Sequence, residues 1–594
     1  MDKIGPIFGE SIYTGKIKRR NYGDEKRSKS LRSYLIPIFI VGVIFIVLMR
    51  LFFLQVVQGS YFRMLSDGNR VKTVVIHAPR GVIFDRNNTP LVYNVPGYRQ
   101  TVNGKTKLIG QEEAIGMIAS GKKDLEIDSL RHYSEKEAMA HLLGYIGQIS
   151  EEELKDPKYT GYRSGDLIGK MGIESQYEDY LKGVSGKQLA ETDSQGKIIR
   201  KLGETDAEPG RDIALTIDSV IQKKAYEAIK KVEKGAVVVS TPEGEILALV
   251  SVPSFDPNLF TLGSDYKPAS ESAYINVEGI LTDSGKQPFL NRAISGVYPP
   301  GSTYKIITAA AGLENKIIDE NYTVEDTGIV RIGEFSFANW FYTNYGGKDG
   351  DVNVVKGLRR SNDIFFYKLA EKIGVEKLSL MSKDFLIDKG LGIDLSGEAR
   401  GTVPDDAWKR KNIGEQWYLG DTYHMGIGQG YLLATPLEVN SWAQTIAAGG
   451  TLYKSHIFKD LGVEILKKDL LSSSTTDLIR QGMIETCEPN GTAWPLFNFT
   501  VKNPNLVVDG KNILNAPQSS TSASFKDFRK ITIACKTGTA EQGGEKDLPH
   551  AWITLFAPAY DPQIVITVLA EASGEGSAEA APIAKEILEE WFSR

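Results

Sequence analysis

From Leu35 to Met49 the chain carries no charged side chain, and after a single Arg50 the apolar run resumes through Leu51-Phe-Phe-Leu-Gln-Val-Val57. Together these stretches supply about the twenty residues a helix needs to cross a bilayer. The preceding segment, 1–32, is polar and holds nine Lys or Arg against four Asp or Glu. By the positive-inside rule this predicts a cytoplasmic tail over 1–32, a transmembrane helix over 33–57, and everything after it on the outer side of the cytoplasmic membrane. A cleaved signal peptide fits less well, because the basic region is long, no small-residue cleavage pattern follows, and the apolar stretch exceeds a usual signal core. Arg50, near the outer end, can snorkel to the headgroups.

Beyond the span the periodicity changes twice. Residues 58–210 mix short β-prone runs, such as Val71-Lys-Thr-Val-Val-Ile76, with loops and polar helices such as 135–143, which predicts an α+β module ending near Asp206-Ala-Glu-Pro-Gly210. Over 211–594 a helix-like stretch follows Leu215-Thr-Ile-Asp218 and reaches about Val232. Two apolar runs, Ala236–Ser240 and Glu245–Ser251, then flank Thr241-Pro-Glu-Gly244 and predict a hairpin. A second hairpin is predicted by Ala551–Ala557 and Gln563–Leu569 around Pro558-Ala-Tyr-Asp-Pro562. With a strand over Ile531-Thr-Ile-Ala-Cys535 this makes five strands, and a terminal helix from about Ala580 to Phe592 can pack on them. Mostly helical sequence separates the hairpins, so the expected fold is α+β: one antiparallel sheet, helices on both faces, and an inserted helical subdomain. There are no internal repeats, and only Ser519 to Ser524 approaches low complexity.

Composition narrows the function classes. A chain of 594 residues with 41% hydrophobic and 24% charged residues is too long for one core. Its net charge of −5 and the lack of basic runs outside the N-terminus argue against nucleic acid as a partner. Two cysteines, Cys487 and Cys535, are far apart in sequence, and Cys535 inside an apolar strand reads as packing rather than redox or metal chemistry. Six histidines without a zinc-type spacing predict no metal, and nothing in the chain calls for a cofactor.

Three short strings carry the chemistry. A serine hydroxyl is a poor nucleophile at neutral pH and needs a nearby base and donors for the developing oxyanion. In Ser302-Thr-Tyr-Lys305 the Pro299-Pro300-Gly301 lead-in and the following Ile306–Leu313 predict a buried helix starting near Ser302. That spacing puts Lys305 on the same face as the hydroxyl. Lys305 can act as base only with a lowered pKa, which burial and a second cation, here Lys536, would both provide. The same Ser-x-x-Lys spacing recurs at Ser194 and Ser264 among turn-like residues, so it is not specific alone. Ser361-Asn-Asp363 precedes an apolar helix and reads in isolation as an ordinary helix cap. Lys536-Thr537-Gly538-Thr539 follows a strand, where Gly538 permits close approach and Lys536 can attract a carboxylate.

Taken in this order, the three strings resemble the active-site boxes of penicillin-binding proteins and serine β-lactamases. Arg80-Gly-Val-Ile-Phe-Asp85-Arg86-Asn87, Gly169-Lys-Met-Gly172-Ile-Glu174, Gly210–Asp218, Asn291-Arg-Ala293, Gly428-Gln-Gly430 with Thr435-Pro436, and His550-Ala-Trp552 resemble those of the class B, monofunctional members. The likeness runs from about residue 50 to the C-terminus. It implies a penicillin-binding-protein transpeptidase domain on a non-catalytic pedestal, whose helical head is reduced here to the roughly forty residues between Tyr98 and His141. It also implies a peptidoglycan D,D-transpeptidase. Ser302 would attack the penultimate D-Ala carbonyl of a stem peptide, Lys305 would take its proton, and Ser361 would relay one to the leaving amine. Lys536 and Thr537 would keep that network polar, and Thr539, beside Gly538, would bind the terminal carboxylate. The backbone N–H groups of Ser302 and Thr539 would form the oxyanion hole, and β-lactams would acylate Ser302. Glycan polymerisation would come from a membrane-embedded glycosyltransferase partner.

Asp363 stands where the commonest family string has Asn. It can pair with Lys305 and would raise the lysine's pKa. The same Asp is found in the elongation-type relatives called penicillin-binding protein 2, which favours cell elongation over septum formation. A septal (division) transpeptidase, a D,D-carboxypeptidase, a β-lactamase or β-lactam sensor, and a catalytically inactive scaffold remain the alternatives at this point.

Overall fold

In the computed structural model the described residues are 32–594, apart from 103–104, 123–124, 194–197, 264, 504, 507–527 and 542–547. The basic tail up to residue 31, the Ser519 to Ser524 stretch and the Ser-x-x-Lys serines at 194 and 264 lie outside them. The chain divides into two compact units, Met1–Val74 with Gln188–Glu204, and Val75–Lys187 with Thr205–Arg594.

In the first unit, helix α1 (Arg32–Phe52) continues through a π-turn at Phe53–Val57. Its apolar part, Tyr34–Val57, has 24 residues, a mean hydropathy of 2.8 and no buried side chains, so it is long and apolar enough to cross a membrane.

In the second unit, the segment ahead of the large sheet is organised by a buried carboxylate pair. Glu174 accepts Arg131 Nε at 2.6 Å and Arg80 Nη2 at 2.8 Å, and Glu178 accepts Arg80 Nη2 at 2.9 Å. Burying Glu174 is tolerable only because two guanidinium groups meet it. Two of the family-like strings, those of Arg80 and Glu174, therefore serve the scaffold. The predicted polar helix over 135–143 is instead a 3-10 turn, Lys136–Met139, running into a one-turn helix, Ala140–Leu143, that is buried throughout. Only its first residues are polar in sequence.

The larger part is the expected sheet. Strands β1 (Gly235–Ser240), β2 (Ile246–Val252), β3 (Ala534–Ala540), β4 (His550–Ala557) and β5 (Ile564–Ala570) lie in the order β2-β1-β5-β4-β3. Every pairing is antiparallel. Both faces are covered, which is why the strands read as nearly unbroken apolar runs. One face packs Val237, Ile553 and Ile566 against α2 (Ser219–Ile229) and the terminal helix Ala581–Phe592. The other packs Trp552, Phe556 and Leu569 against the helical subdomain, where Tyr304, Phe365 and Trp442 are buried.

That subdomain holds α3 (Lys305–Glu314), α4 (Val354–Arg360), α5 (Asp363–Ile373), α6 (Pro436–Ala447) and α7 (Ser473–Thr486). Thr435-Pro436 starts α6: the Thr435 hydroxyl accepts Glu438 N at 3.1 Å, and Glu438 returns the bond to Thr435 N at 2.8 Å.

Two expectations are corrected. The strand read over Ile531–Cys535 begins at Ala534 and runs on through Ala540, because β4 offers partners from Phe556, opposite Ala534, to His550, opposite Ala540. The Lys536 string thus lies inside a strand rather than after one. The cysteines are not merely packing residues: Cys535 on β3 and Cys487, the C-cap of α7, form a disulfide across a sequence separation of 48. Alternation along β3 turns Cys535 away from the face Lys536 occupies, toward the end of α7.

Candidate active site

The Ser302 string begins as a 3-10 turn, Gly301–Tyr304, and passes into α3 at Lys305. In a 3-10 turn residues i and i+3 eclipse, so the tighter winding sets Ser302 and Lys305 in line. The turn is held from two sides. Gly301 N donates to Gly428 O at 2.9 Å, and Trp552 Nε1 donates to Pro299 O at 3.1 Å. A Cβ on Gly428, whose φ is +77°, would lie 2.1 Å from Gly301 O. This accounts for the Gly428-Gln-Gly430 and His550-Ala-Trp552 strings as buttresses of the serine turn.

Ser361 and its two successors divide the labour of a helix junction. Asn362 is the N-cap of α5, accepting Phe365 N at 2.9 Å, as the cap reading of this string anticipated. Ser361 instead closes α4 in the left-handed region, φ +50°, with Asn362 N bonded to Gly357 O at 2.9 Å. Glycine normally takes this position, and a serine there costs about 1–2 kcal/mol. The surrounding contacts must supply that cost.

Four side chains converge here. Lys305 Nζ donates to Asp363 Oδ1 at 2.6 Å, Ser361 O at 2.8 Å and Ser361 Oγ at 3.2 Å. Lys536 Nζ donates to Ser361 Oγ at 2.9 Å and to Thr537 O at 2.9 Å. Both lysines are wholly buried. Burial lowers the pKa of Lys305, and the Asp363 carboxylate opposes but does not reverse that shift. For Lys536 burial acts together with the neighbouring charge of Lys305, and the pKa falls well below the usual lysine range. Among the described residues no carboxylate forms an ion pair with Lys536, so its charge is the less supported of the two.

Ser302 itself is half-buried, and among the described residues its hydroxyl makes no hydrogen bond. Thr539 is exposed on β3, the edge strand of the sheet, and Gly301 is packed so closely that a Cβ there would lie 2.8 Å from Thr539 O. Gly538 fills the same seam: a Cβ would meet Thr303 Cγ2 and Trp552 Cβ at 3.0 Å. Thr537 is buried and its hydroxyl shares a 2.7 Å hydrogen bond with that of Thr492. Sequence reading passed over Thr492, and it passed over Asn339 and Trp340. Asn339 Oδ1 accepts Asp363 N at 3.2 Å, and Trp340 N donates to Asp363 Oδ2 at 3.1 Å. No local pattern marks these three.

Comparison with known proteins places the chain in a family. Residues 234–589 match the penicillin binding protein transpeptidase domain, and 124–215 match the penicillin-binding protein dimerisation domain. The chain is 30% identical to the peptidoglycan D,D-transpeptidase MrdA of Haemophilus influenzae, over 95% of this chain and 92% of the relative. Among solved structures, a complex of PBP2 with MreC from Helicobacter pylori superposes with a TM-score of 0.70 at 27% identity, covering 88% of this chain and 98% of that one. A peptidoglycan synthase complex described as coordinating polymerization and crosslinking superposes with a TM-score of 0.68 at 25% identity, covering 95% and 98%.

Proposed function

The chain belongs to the penicillin-binding protein transpeptidase family, and we infer that it is a serine-type peptidoglycan D,D-transpeptidase of the elongation type, with its roles divided as follows. The observation that carries the reading is the meeting of Lys305, Ser361, Asp363 and Lys536 at hydrogen-bond distance beside the Ser302 turn.

Ser302 Oγ attacks the carbonyl of the penultimate D-Ala of a stem peptide. Lys305 is the base: once it has lost one of the three protons now donated to Ser361 and Asp363, its lone pair can accept that of Ser302, and its burial makes the neutral amine accessible. The oxyanion is received by the N–H groups of Ser302 and Thr539. Collapse expels the terminal D-Ala, whose nitrogen takes a proton from Ser361 as Lys305 passes the proton of Ser302 on to Ser361. Both lone pairs of the Ser361 hydroxyl are engaged by lysine N–H groups, which leaves its own hydrogen free to point elsewhere. Lys536 and Thr537 keep this network polar, and Thr539 receives the substrate's terminal carboxylate. The acyl-enzyme is then resolved by the amine of a neighbouring stem peptide, which forms the cross-link. β-Lactams acylate Ser302 by the same route and stop there.

The basic segment ahead of α1 supports an N-terminus in the cytoplasm and a catalytic domain outside the cytoplasmic membrane. Over 58–210 the chain is the pedestal and over 211–594 the transpeptidase domain. Similarity to the peptidoglycan synthase complex supports a membrane-embedded glycosyltransferase as partner.

The test is labelling of the full-length protein with a fluorescent penicillin, beside Ser302→Ala. The variant should lose covalent labelling, with acylation slowed about a million-fold, as on deleting other acyl-transfer serines. Persistent labelling of the variant would refute the assignment.

A further inference from the structure

The Ser361–Asp363 turn is gripped from outside its own helices. The chain between Val324 and Val352 leaves the subdomain as short strands Val324–Asp326, Ile329–Ile332 and Phe335–Ala338 and a one-and-a-half-turn helix, Trp340–Tyr345. This excursion contacts nearly every residue of the turn. Asp349 Oδ1 accepts Arg360 Nε at 2.9 Å, and Trp340 Nε1 donates to Arg360 O at 2.9 Å. Asn362 Nδ2 donates to Asp326 Oδ2 at 2.9 Å and to Asp349 Oδ2 at 3.0 Å. Asp363 is held through Asn339 and Trp340, as described above.

One side chain joins these contacts. Asp326 is buried, and its carboxylate accepts four hydrogen bonds: Gly328 N at 2.8 Å on Oδ1, and Asn339 Nδ2, Asn362 Nδ2 and Asp349 N, each at 2.9 Å, on Oδ2. Four donors fill the acceptor capacity of a carboxylate, and donors aimed at one charge hold one another in place. Asn362 and Asn339 are amides whose two ends do different work. Each gives its N–H to Asp326 and its oxygen to the turn, Asn362 to Phe365 N and Asn339 to Asp363 N. The charge of Asp326 therefore sets which way round both amides lie.

We propose that Asp326 is the positioning residue of this turn: through Asn362 and Asn339 it fixes the left-handed Ser361 and aims Asp363 at Lys305. It touches neither substrate nor any reacting atom. The inference rests on the roles given to Ser361 and Asp363 above. Its effect is on the rate of acylation rather than on binding, since the atoms it controls are those that handle protons. A small misplacement of such groups costs about 10- to 100-fold.

The experiment uses the full-length protein in detergent with a chromogenic penicillin, separating the non-covalent affinity from the first-order acylation step. Asp326→Asn keeps the size of the side chain but turns an N–H either to Gly328 N or to the three donors now on Oδ2. Expected are acylation slowed about 10- to 100-fold, unchanged non-covalent affinity, and full stoichiometric labelling at long times. Combined with Asp363→Asn, its penalty should shrink, because one acts through the other. An unchanged acylation step would overturn the proposal. So would a loss that appears only as a smaller labelled fraction, or penalties that multiply in the double variant. Should Asp326→Asn not accumulate folded, Asn339→Ala, which removes a single spoke, is read by the same criteria. Failure of the underlying site reading is separately visible as labelling that survives Ser302→Ala.

Discussion

Lys305 gives its shortest hydrogen bond, 2.6 Å, to Asp363 and none to Ser302, the residue we propose it deprotonates. Both lysines are pulled toward the neutral form by burial and toward the charged form by Asp363. Removing the carboxylate leaves burial and, for Lys536, the charge of Lys305.

Asp363→Asn should therefore move the acid limb of the acylation profile to lower pH. With Lys305 as the proposed base, acylation follows its neutral form, a pKa lowered further brings that form in earlier, and the limb follows. Acylation rates of the two proteins across pH with one penicillin decide the matter. A limb displaced to higher pH would show that Asp363 does not support the lysine's charge.

Ser361→Ala removes the shared acceptor of two buried lysines together with the proposed proton relay. Release of D-Ala from a stem-peptide donor should fall by about 10²- to 10⁴-fold, the range for a lost general acid. The loss belongs in kcat, with KM little changed. A KM effect alone would make Ser361 a binding group.

A fourth titratable group reports on stability. His141 is buried, its Nε2 lies 2.7 Å from Pro288 O, and burial depresses its pKa to about 4. In the unfolded chain it would take a proton near pH 6.5, while in the fold it stays neutral to about pH 4. Stability contributed by this site is present above the first value and is lost as pH falls toward the second, by about 3 kcal/mol in all. His141→Gln keeps a donor for Pro288 O and should flatten that part of the pH dependence of Tm. Parallel curves for the two proteins would contradict it.

The Cys487–Cys535 link closes a loop of 48 residues. On the chain-entropy account it stabilises the fold by about 4 kcal/mol. The paired variant C487A/C535A should lose most of that in equilibrium denaturation, and treatment with a reductant should lower Tm for the wild type only. Equal responses of both proteins to the reductant would mean that the link does not form.

What could be read in advance follows physical locality. Both hairpins were legible because each consists of two apolar runs around a short turn, Thr241–Gly244 in one and Pro558–Pro562 in the other. Ser302 and Lys305 were legible because their string carries neighbours that define its element, whereas the strand holding Lys536 was read too short. Asp326, Asn339 and Thr492 were not. They reach the site from strands of three or four residues or from a loop, and short irregular elements leave no periodicity. The left-handed Ser361 was equally hidden, since a serine carries no preference for that conformation and the contacts that impose it come from 12 to 35 residues away. The register of β3 depended on the length of β4, which a reading of one strand alone does not contain.

The disulfide has a mechanical consequence for the cleft. It anchors the edge strand at the residue next to Lys536, within the stretch that β4 pairs from Ala534 to Ala540. Thr539 stands four residues further along, about 13 Å at strand spacing. The covalent tie therefore secures the lysine end of the strand, while Thr539, which we propose receives the substrate's carboxylate, lies beyond it.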